Sequence, residues 1–150
     1  MALMSRSARR AVFLLGLALG APGCARPPAE AGPVPVARSA QDLRVVQNRV
    51  VATGNGEQVM RAMAATLQDR GFRMAEVDVG AGRIAATRWP FQRITLQQRR
   101  LDAGRTGIEA DAYVRIEGQD VQVDDPRYYE TDLFGPLSQA LGLPLGAAAP

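Results

Sequence analysis

The sequence predicts an α+β domain in which an antiparallel sheet of about four to five strands carries two helices packed on one face. Between residues 41 and 145, apolar residues alternate with a period near two in some stretches and recur at helical spacing in others. The order of these stretches is strand, helix, two hairpins and helix. Because hairpins join antiparallel strands, and polar residues occupy alternate positions along them, one face of the sheet is expected to meet solvent.

The first strand and the first helix are predicted from residue type and spacing. Residues 43–52 are rich in β-branched side chains, which favours a strand, and the Gly-Asn-Gly run at 54–56 ends it. A helix is predicted over residues 57–70, with Gly71 placed to stop it in a left-handed conformation. Its buried stripe is expected to comprise Val59, Met60, Met63, Ala64 and Leu67.

Two hairpins follow this helix. The first covers residues 72–89 and turns at Gly80-Ala81-Gly82, and the second covers residues 92–116 with a polar turn at 102–107. The Gly-Ala-Gly run precedes a strand and not a helix, so we interpret it as a turn rather than a phosphate-binding loop.

The last predicted element is a helix that begins at Asp124-Asp125-Pro126, where an acidic N-cap precedes proline at the first helical position. Gly135-Pro136 is expected to kink or split this helix. Its apolar stripe comprises Tyr129, Leu133, Leu137, Ala140 and Leu141.

Residues 1–23 have the pattern of an export signal. Arg6, Arg9 and Arg10 precede an apolar run at residues 11–21, which is too short to cross a bilayer as a helix because about 20 residues are needed. The run is therefore predicted to be a signal and not an anchor.

The signal ends at Ala21-Pro22-Gly23-Cys24, which resembles the lipobox of bacterial lipoproteins. The resemblance implies that Cys24 is the lipid-attachment site, held in the bilayer by its acyl chains, and that the lipidated cysteine becomes the new N-terminus. An ordinary soluble signal peptide cleaved at the same bond is the alternative. A lone thiol in an exported protein favours lipidation, because it has no partner for a disulfide. Ala25 after the cysteine favours the outer membrane, with the domain facing the periplasm.

Residues 24–40 are predicted to be a disordered tether, because they are rich in proline and alanine and contain almost no large apolar side chain. The α+β domain is expected at 41–145 and a disordered tail at 146–150.

Charge and residue content exclude several classes of function. Three of the 18 basic residues precede Cys24, and the remaining 15 equal the 15 acidic residues, so no basic footprint for nucleic acid is expected. All 18 are arginine, and the chain has no histidine and one cysteine. Nucleophilic triads, zinc sites, P-loops and Schiff-base chemistry are therefore not expected, and neither is any metal or cofactor.

Acidic and aromatic side chains are the remaining candidates for a site. The acids cluster in sequence, but Asp124 and Asp125 are explained as helix starters, which favours a structural role over catalysis or metal binding. The acids concerned are Glu117, Asp120, Asp124, Asp125 and Glu130. The aromatic residues are expected in the core or at its edge rather than in a sugar-binding platform: Tyr128, Tyr129, Phe134 and Trp89. A position of Tyr128 off the buried stripe, as a contact residue, is the alternative.

Residues 57–88 resemble the helix, Gly-Phe, strand, acidic turn, strand unit of the BamC-like helix-grip domains found in outer-membrane lipoproteins. The matching positions are Leu67, Asp69, Gly71, Phe72, Asp78, Gly82 and Ile84. Residues 125–143 are similar to the Asp-Pro helix that ends many small proteobacterial lipoproteins built on this unit. The resemblance implies a helix-grip fold and an association with outer-membrane protein assembly.

Three functions remain after these exclusions. The first is a non-catalytic binding or scaffold module of the cell envelope with a protein partner. The second is a carrier of a small apolar ligand in a groove between helix and sheet, and the third is a carboxylate-dependent hydrolase. A roomy apolar pocket under the first predicted helix would favour the carrier, whereas a filled core with an exposed apolar patch would favour the binding module.

Lipidation gives the first testable prediction. Labelled palmitate is expected to enter the wild-type chain, and Cys24→Ala is expected to be released in soluble form into the periplasm, because the acyl chains are its only proposed anchor. Equal membrane retention of the wild type and the variant would contradict the prediction.

Overall fold

The computed structural model describes residues 39–147, and they form an α+β domain, as predicted. The signal peptide, Cys24 and nearly all of the predicted tether lie outside the described residues. The elements in chain order are α1 (Ala40–Gln47), β1 (Asn48–Val51), α2 (Gly56–Asp69), β2 (Arg73–Asp78), β3 (Arg83–Arg88), β4 (Gln92–Arg100), β5 (Thr106–Ile116), β6 (Gln119–Gln122), a π-helical segment (Tyr128–Phe134), α3 (Gly135–Leu141) and β7 (Leu145–Ala147).

The described residues form one antiparallel sheet of seven strands in the order β2-β3-β4-β5-β1-β7, with β6 paired to β5. β4 pairs along one edge of β5, while β1 and β6 share the other edge. β1 pairs with residues 106–109 of β5, and β6 pairs with residues 113–116. Both predicted hairpins, β2–β3 and β4–β5, are confirmed.

The prediction of four to five strands is wrong, because it lacked β6 and β7. β6 has four residues, three of them polar, and follows β5 through a two-residue turn at Glu117-Gly118, both of which have positive φ. β7 has three residues and pairs with β1, so it extends two residues into the range 146–150 that was predicted to be a disordered tail. Strands this short carry too few residues for a period of two to be detected.

The prediction of a strand over residues 43–52 is also wrong in its first half. Residues 40–47 form helix α1, which begins at Ala40 within the range predicted as tether. The hydroxyl of Ser39 accepts a hydrogen bond from the Asp42 backbone N–H at 3.1 Å and donates to the Asp42 carboxylate at 2.7 Å. At the other end, Asn48 and Arg49 donate side-chain hydrogen bonds to the exposed carbonyls of α1. Local capping therefore overrides the β-propensity of Val45 and Val46.

The core lies between the helices and one face of the sheet. Every second residue is buried over residues 84–86 of β3, 92–96 of β4 and 106–112 of β5, as the alternation predicted. Val59, Met63 and Leu67 of α2 have no exposed surface and pack in the same apolar cluster as the buried sheet residues. Three helices and the π-helical segment contribute to this cluster, rather than the two predicted helices.

The final helical region begins where the sequence predicted. The Asp125 carboxylate accepts a hydrogen bond from the Arg127 backbone N–H, and Pro126 is the first helical residue. The predicted interruption at Gly135-Pro136 takes the form of a change from π-helix to α-helix, in which the Gly135 N–H donates to the Glu130 carbonyl five residues earlier. A wider π turn accommodates Pro136, which lacks an N–H.

The tyrosines of this region are buried. Tyr128 is only 5% exposed, and it lies in the core with Tyr129 and Phe134, as predicted. The alternative, in which Tyr128 lies off the buried stripe as a contact residue, is wrong. The Tyr129 hydroxyl donates to the Val123 carbonyl at 2.7 Å and accepts from the Gln47 side chain at 3.2 Å. Burial raises the pKa of Tyr129 to about 12, so its hydroxyl is neutral near neutral pH.

None of the helices formed by residues 39–147 is long and apolar enough to cross a membrane.

Gly71 ends α2 in the left-handed conformation that the sequence predicted, with φ of 77°. The Gly71 N–H donates to the Gln68 carbonyl and the Phe72 N–H donates to the Leu67 carbonyl, both at 2.9 Å. These two bonds form a Schellman motif, and Leu67 and Phe72 provide its apolar contact.

Gly71→Val is expected to lower the free energy of unfolding by about 1–2 kcal/mol, because a β-branched residue is strained at positive φ. A Cβ at this position would meet only the Arg88 side chain at 3.9 Å, so backbone strain and not a clash would be measured. Thermal unfolding checks the change, and Gly71→Asn serves as the control because asparagine tolerates this conformation better. Equal melting temperatures for the wild type and the valine variant would contradict the prediction.

Candidate functional site

Two of the three most exposed large apolar side chains lie on the loop that joins β3 to β4. Trp89 is 84% exposed and Phe91 is 57% exposed, so the prediction that Trp89 lies in the core or at its edge is wrong. Thr87 and Arg93, which flank the loop, belong to the residues that alternate away from the buried face. Trp89 and Phe91 continue that outward series, which explains their exposure.

The two rings contact each other instead of the core. Their centroids are 5.4 Å apart with an interplanar angle of 48°, and a cis Trp89-Pro90 peptide lies between them in sequence. The Phe91 carbonyl accepts a hydrogen bond from the Arg115 N–H of β5 at 2.9 Å. The loop is therefore fastened to the sheet, and the aromatic pair is presented on a defined support.

This aromatic pair borders an open groove of about 720 Å³. Its walls come from the end of α2, the start of β2, the β3–β4 loop and the β5–β6 hairpin, all of which meet at one end of the sheet. Four arginines and one aspartate line it, which gives the lining a formal charge of +3: Arg73, Arg88, Arg93, Arg115 and Asp120. We call this surface the Trp89 groove.

Two of these arginines are already neutralised in part. The Asp120 carboxylate is 3.1 Å from the Arg93 guanidinium and 3.0 Å from that of Arg115. The Arg93 guanidinium also lies 5.2 Å from the centroid of the Tyr113 ring. Asp120 therefore fixes the positions of two cations while cancelling only one charge.

Arg88 is held by neutral groups. Its guanidinium donates to the Arg70 carbonyl at 3.1 Å and to the Gln92 side-chain oxygen at 2.6 Å, and it lies 4.9 Å from the centroid of the Phe72 ring. Gln92 is buried, and its side-chain nitrogen has no hydrogen-bond partner in the described part of the chain. Arg73 is exposed and forms no ion pair with any residue from 39 to 147.

The groove thus combines an apolar surface with two cations, Arg73 and Arg88, that pair with no carboxylate of the described residues. Tryptophan and arginine are enriched where proteins bind one another, because both provide a large contact area together with directed polar contacts. Guanidinium groups bind carboxylates and phosphates through paired hydrogen bonds. The arrangement suits an anionic ligand that also carries an apolar group.

The five acids proposed as catalytic or metal-binding candidates are not brought together as a metal site: no group of three such ligands occurs among the described residues. Asp120 binds two arginines, Asp125 caps a helix, and Glu130 lies 3.7 Å from Arg49. Glu117 occupies the β5–β6 turn, and Asp124 is buried.

A second, smaller groove of about 240 Å³ lies at the opposite end of the sheet, between the loop before α2 and the β2–β3 turn. Gly80-Ala81-Gly82 forms that turn, which confirms the interpretation of these glycines. Gly82 has φ of 65°, and a Cβ there would lie 2.9 Å from the Gln98 carbonyl oxygen. The glycine is therefore needed for close approach of β4. Val59, Met63 and Leu67 of α2 line neither groove.

The Trp89 groove was missed in the sequence because aromatic residues beside strands are normally buried. The available signal was the alternation along the strands. Trp89 and Phe91 occupy odd-numbered positions, like the exposed polar residues Thr87 and Arg93, whereas the buried Ala86 and Ile94 occupy even-numbered ones. The residues of the groove also come from four separate parts of the chain, which only the fold brings together.

No family model matches this chain, and no curated protein matches it either.

Trp89 is the single tryptophan of the chain, so its fluorescence reports on the groove directly. Anionic iodide is expected to quench it more strongly than cationic caesium does, because the surrounding arginines attract anions. Added salt should reduce the difference through screening. Arg73→Glu should also reduce it, whereas the matched charge reversal Arg99→Glu, at the other end of β4, should not. Equal quenching by the two ions would contradict the assigned charge of the groove.

Proposed function

We propose that this protein is a lipoprotein of the bacterial outer membrane, anchored through Cys24, whose periplasm-facing domain is a non-catalytic binding module of the cell envelope. The observation that carries the proposal is the Trp89 groove, where an aromatic pair is exposed beside Arg73 and Arg88, which form no ion pair within residues 39–147. Exposed apolar groups on a firmly supported loop are typical of a surface that another protein covers. The expected partner is therefore a protein of the envelope.

The helix-grip likeness is part of this proposal. Helix α2 packs across β2, β3 and β4 with Val59, Met63 and Leu67 fully buried, which is the arrangement expected of a helix held by a sheet. The resemblance to BamC-like lipoproteins adds a role in outer-membrane protein assembly to the proposal. The lipid anchor supports it further, because tethering near a membrane raises the effective concentration of the domain towards membrane partners.

The apolar-ligand carrier has less support than the binding module. A carrier needs an enclosed apolar cavity, but the stripe of α2 is packed into the core and borders neither groove. The carboxylate-dependent hydrolase also has less support, because Asp120, Asp125 and Glu130 each have a structural neighbour of their own.

A site-specific crosslinking experiment tests the proposed function. A photoreactive amino acid replaces Trp89 in the full chain, and a matched chain carries it at Val79, which is 68% exposed at the opposite end of β3. In intact cells, protein adducts are expected at position 89 and to be weak or absent at position 79. Cys24→Ala should reduce the adducts by removing the proposed anchor.

Two results would count against the proposed function. Equal adduct patterns at positions 89 and 79 would mean that the groove is not a selective surface. Absence of any protein adduct at position 89, with the chain correctly exported, would mean that the groove does not bind a protein.

A further inference from the structure

We infer that the Trp89 groove recognises an acidic segment of its protein partner, with carboxylates paired to Arg73 and Arg88 and an apolar side chain packed on the Trp89–Phe91 pair. This inference rests on the proposed function and specifies the chemistry of the partner.

The positive charge of the groove is a local property, because residues 24–150 have no net charge as a whole. Residues 24–150 contain equal numbers of basic and acidic residues, yet the groove lining has four arginines against one aspartate. Like charges gathered at one end of the sheet repel each other, so an anionic partner would relieve their repulsion. Charge complementarity therefore selects an acidic ligand.

Within the groove, the four arginines have different roles. Arg93 and Arg115 are bound to Asp120, which stiffens the β4 and β5–β6 wall. Arg88 donates only to neutral oxygens, and Arg73 has no ion pair within residues 39–147. Arg73 and Arg88 are thus the cations that remain for a partner's carboxylates.

Arg88 is also prepared for this role. Two hydrogen bonds and the Phe72 ring hold its guanidinium in place before any partner arrives. A side chain that is already ordered loses less conformational entropy on binding than a free one does. The Arg88 position is therefore suited to directed pairing with a carboxylate.

The aromatic pair supplies the apolar half of the recognition. Trp89 and Phe91 share the groove with the arginines, so one short segment can contact both surfaces. A segment that alternates acidic and apolar side chains would satisfy both surfaces together. The concave shape favours such a segment over a bilayer, because a flat membrane surface cannot fill a groove whose walls come from four parts of the fold.

The test selects ligands from a library of random short peptides displayed on phage, with the full chain purified in detergent as the target. Enriched peptides are expected to carry at least two acidic residues near an aromatic or aliphatic one. Binding of a synthetic copy should shift the Trp89 emission to shorter wavelength, because the ring leaves water, and should weaken as salt is added.

Arg73→Glu is the decisive variant, because the Arg73 side chain is exposed and makes no ion pair with residues 39–147 that the substitution would remove. It should weaken peptide binding by about tenfold or more, since the charge reversal removes one pair and adds repulsion. Arg99→Glu, which makes the same change in net charge on β4, should leave the affinity unchanged. A peptide with lysine in place of one acidic residue should bind Arg73→Glu more tightly than it binds the wild type.

Several outcomes would overturn the inference. Enrichment of neutral or basic peptides, failure to enrich any peptide, or equal affinity of the wild type and Arg73→Glu would each do so. Vesicles of phosphatidylglycerol that shift the Trp89 emission more than the peptides do would indicate a lipid surface instead.

The failures of the two proposals can be told apart. If protein adducts at position 89 persist in cells but map to segments without acidic residues, or are unchanged by Arg73→Glu, the proposed function stands and the acidic segment is wrong. If no protein adduct forms at position 89, the proposed function itself fails.

Discussion

The Tyr129 hydroxyl closes a gap in the sheet on which the rest of the fold depends. The outer edge of β5 is shared by β1 and β6, which stop on either side of Asp111. Gln47 precedes β1 and Val123 follows β6, and the Tyr129 hydroxyl bonds to both. A hydroxyl buried without partners costs about 1–3 kcal/mol, so both hydrogen bonds of Tyr129 favour the folded arrangement. They link the segments that flank residues 110–112 of β5, where neither β1 nor β6 pairs with the strand. Burial disfavours the charged phenolate and so raises the pKa of Tyr129 to about 12, which keeps the hydroxyl protonated and able to donate.

The hydrogen bonds of the Tyr129 hydroxyl also stabilise the Trp89 groove, although Tyr129 does not line it. Fixing Val123 fixes the end of β6, and β6 carries Asp120, the residue that binds Arg93 and Arg115. The wall of the groove is thus an extension of the sheet and not an independent loop. This explains how one end of a small sheet can hold exposed aromatic rings and several cations in a fixed arrangement, since each rests on an element whose other face is in the core.

Periodic elements of the fold were predictable from sequence, and locally determined or very short ones were not. Helix α2 and both hairpins have enough residues to show a period, and Gly71 marks a helix end by its chemistry. Helix α1 was mistaken for a strand because its formation depends on the Ser39 cap and on side chains donated after its last residue. The groove could not be predicted from the sequence. The alternation of apolar and polar residues shows which face of a strand a residue occupies, but a residue in a loop can be assigned to a face only when the ends of the neighbouring strands are known. Trp89 was assigned to the core by residue type, although its parity pointed outward.

The Trp89 groove brings exposed aromatic rings and arginine side chains together on one surface. A tryptophan side chain is usually enclosed by the core, whereas an arginine side chain is usually exposed to solvent. In the Trp89 groove both are exposed side by side. Contiguous exposed apolar groups rimmed by polar side chains are typical of interaction surfaces, which is the basis of the function that we propose for the groove. The ion pairs of Asp120 allow this without loss of order, because they consume one carboxylate while positioning two guanidinium groups. The lining of the groove therefore has more hydrogen-bond donors than charged acceptors, because four arginines face one aspartate. This imbalance is the property that the proposed acidic partner would meet.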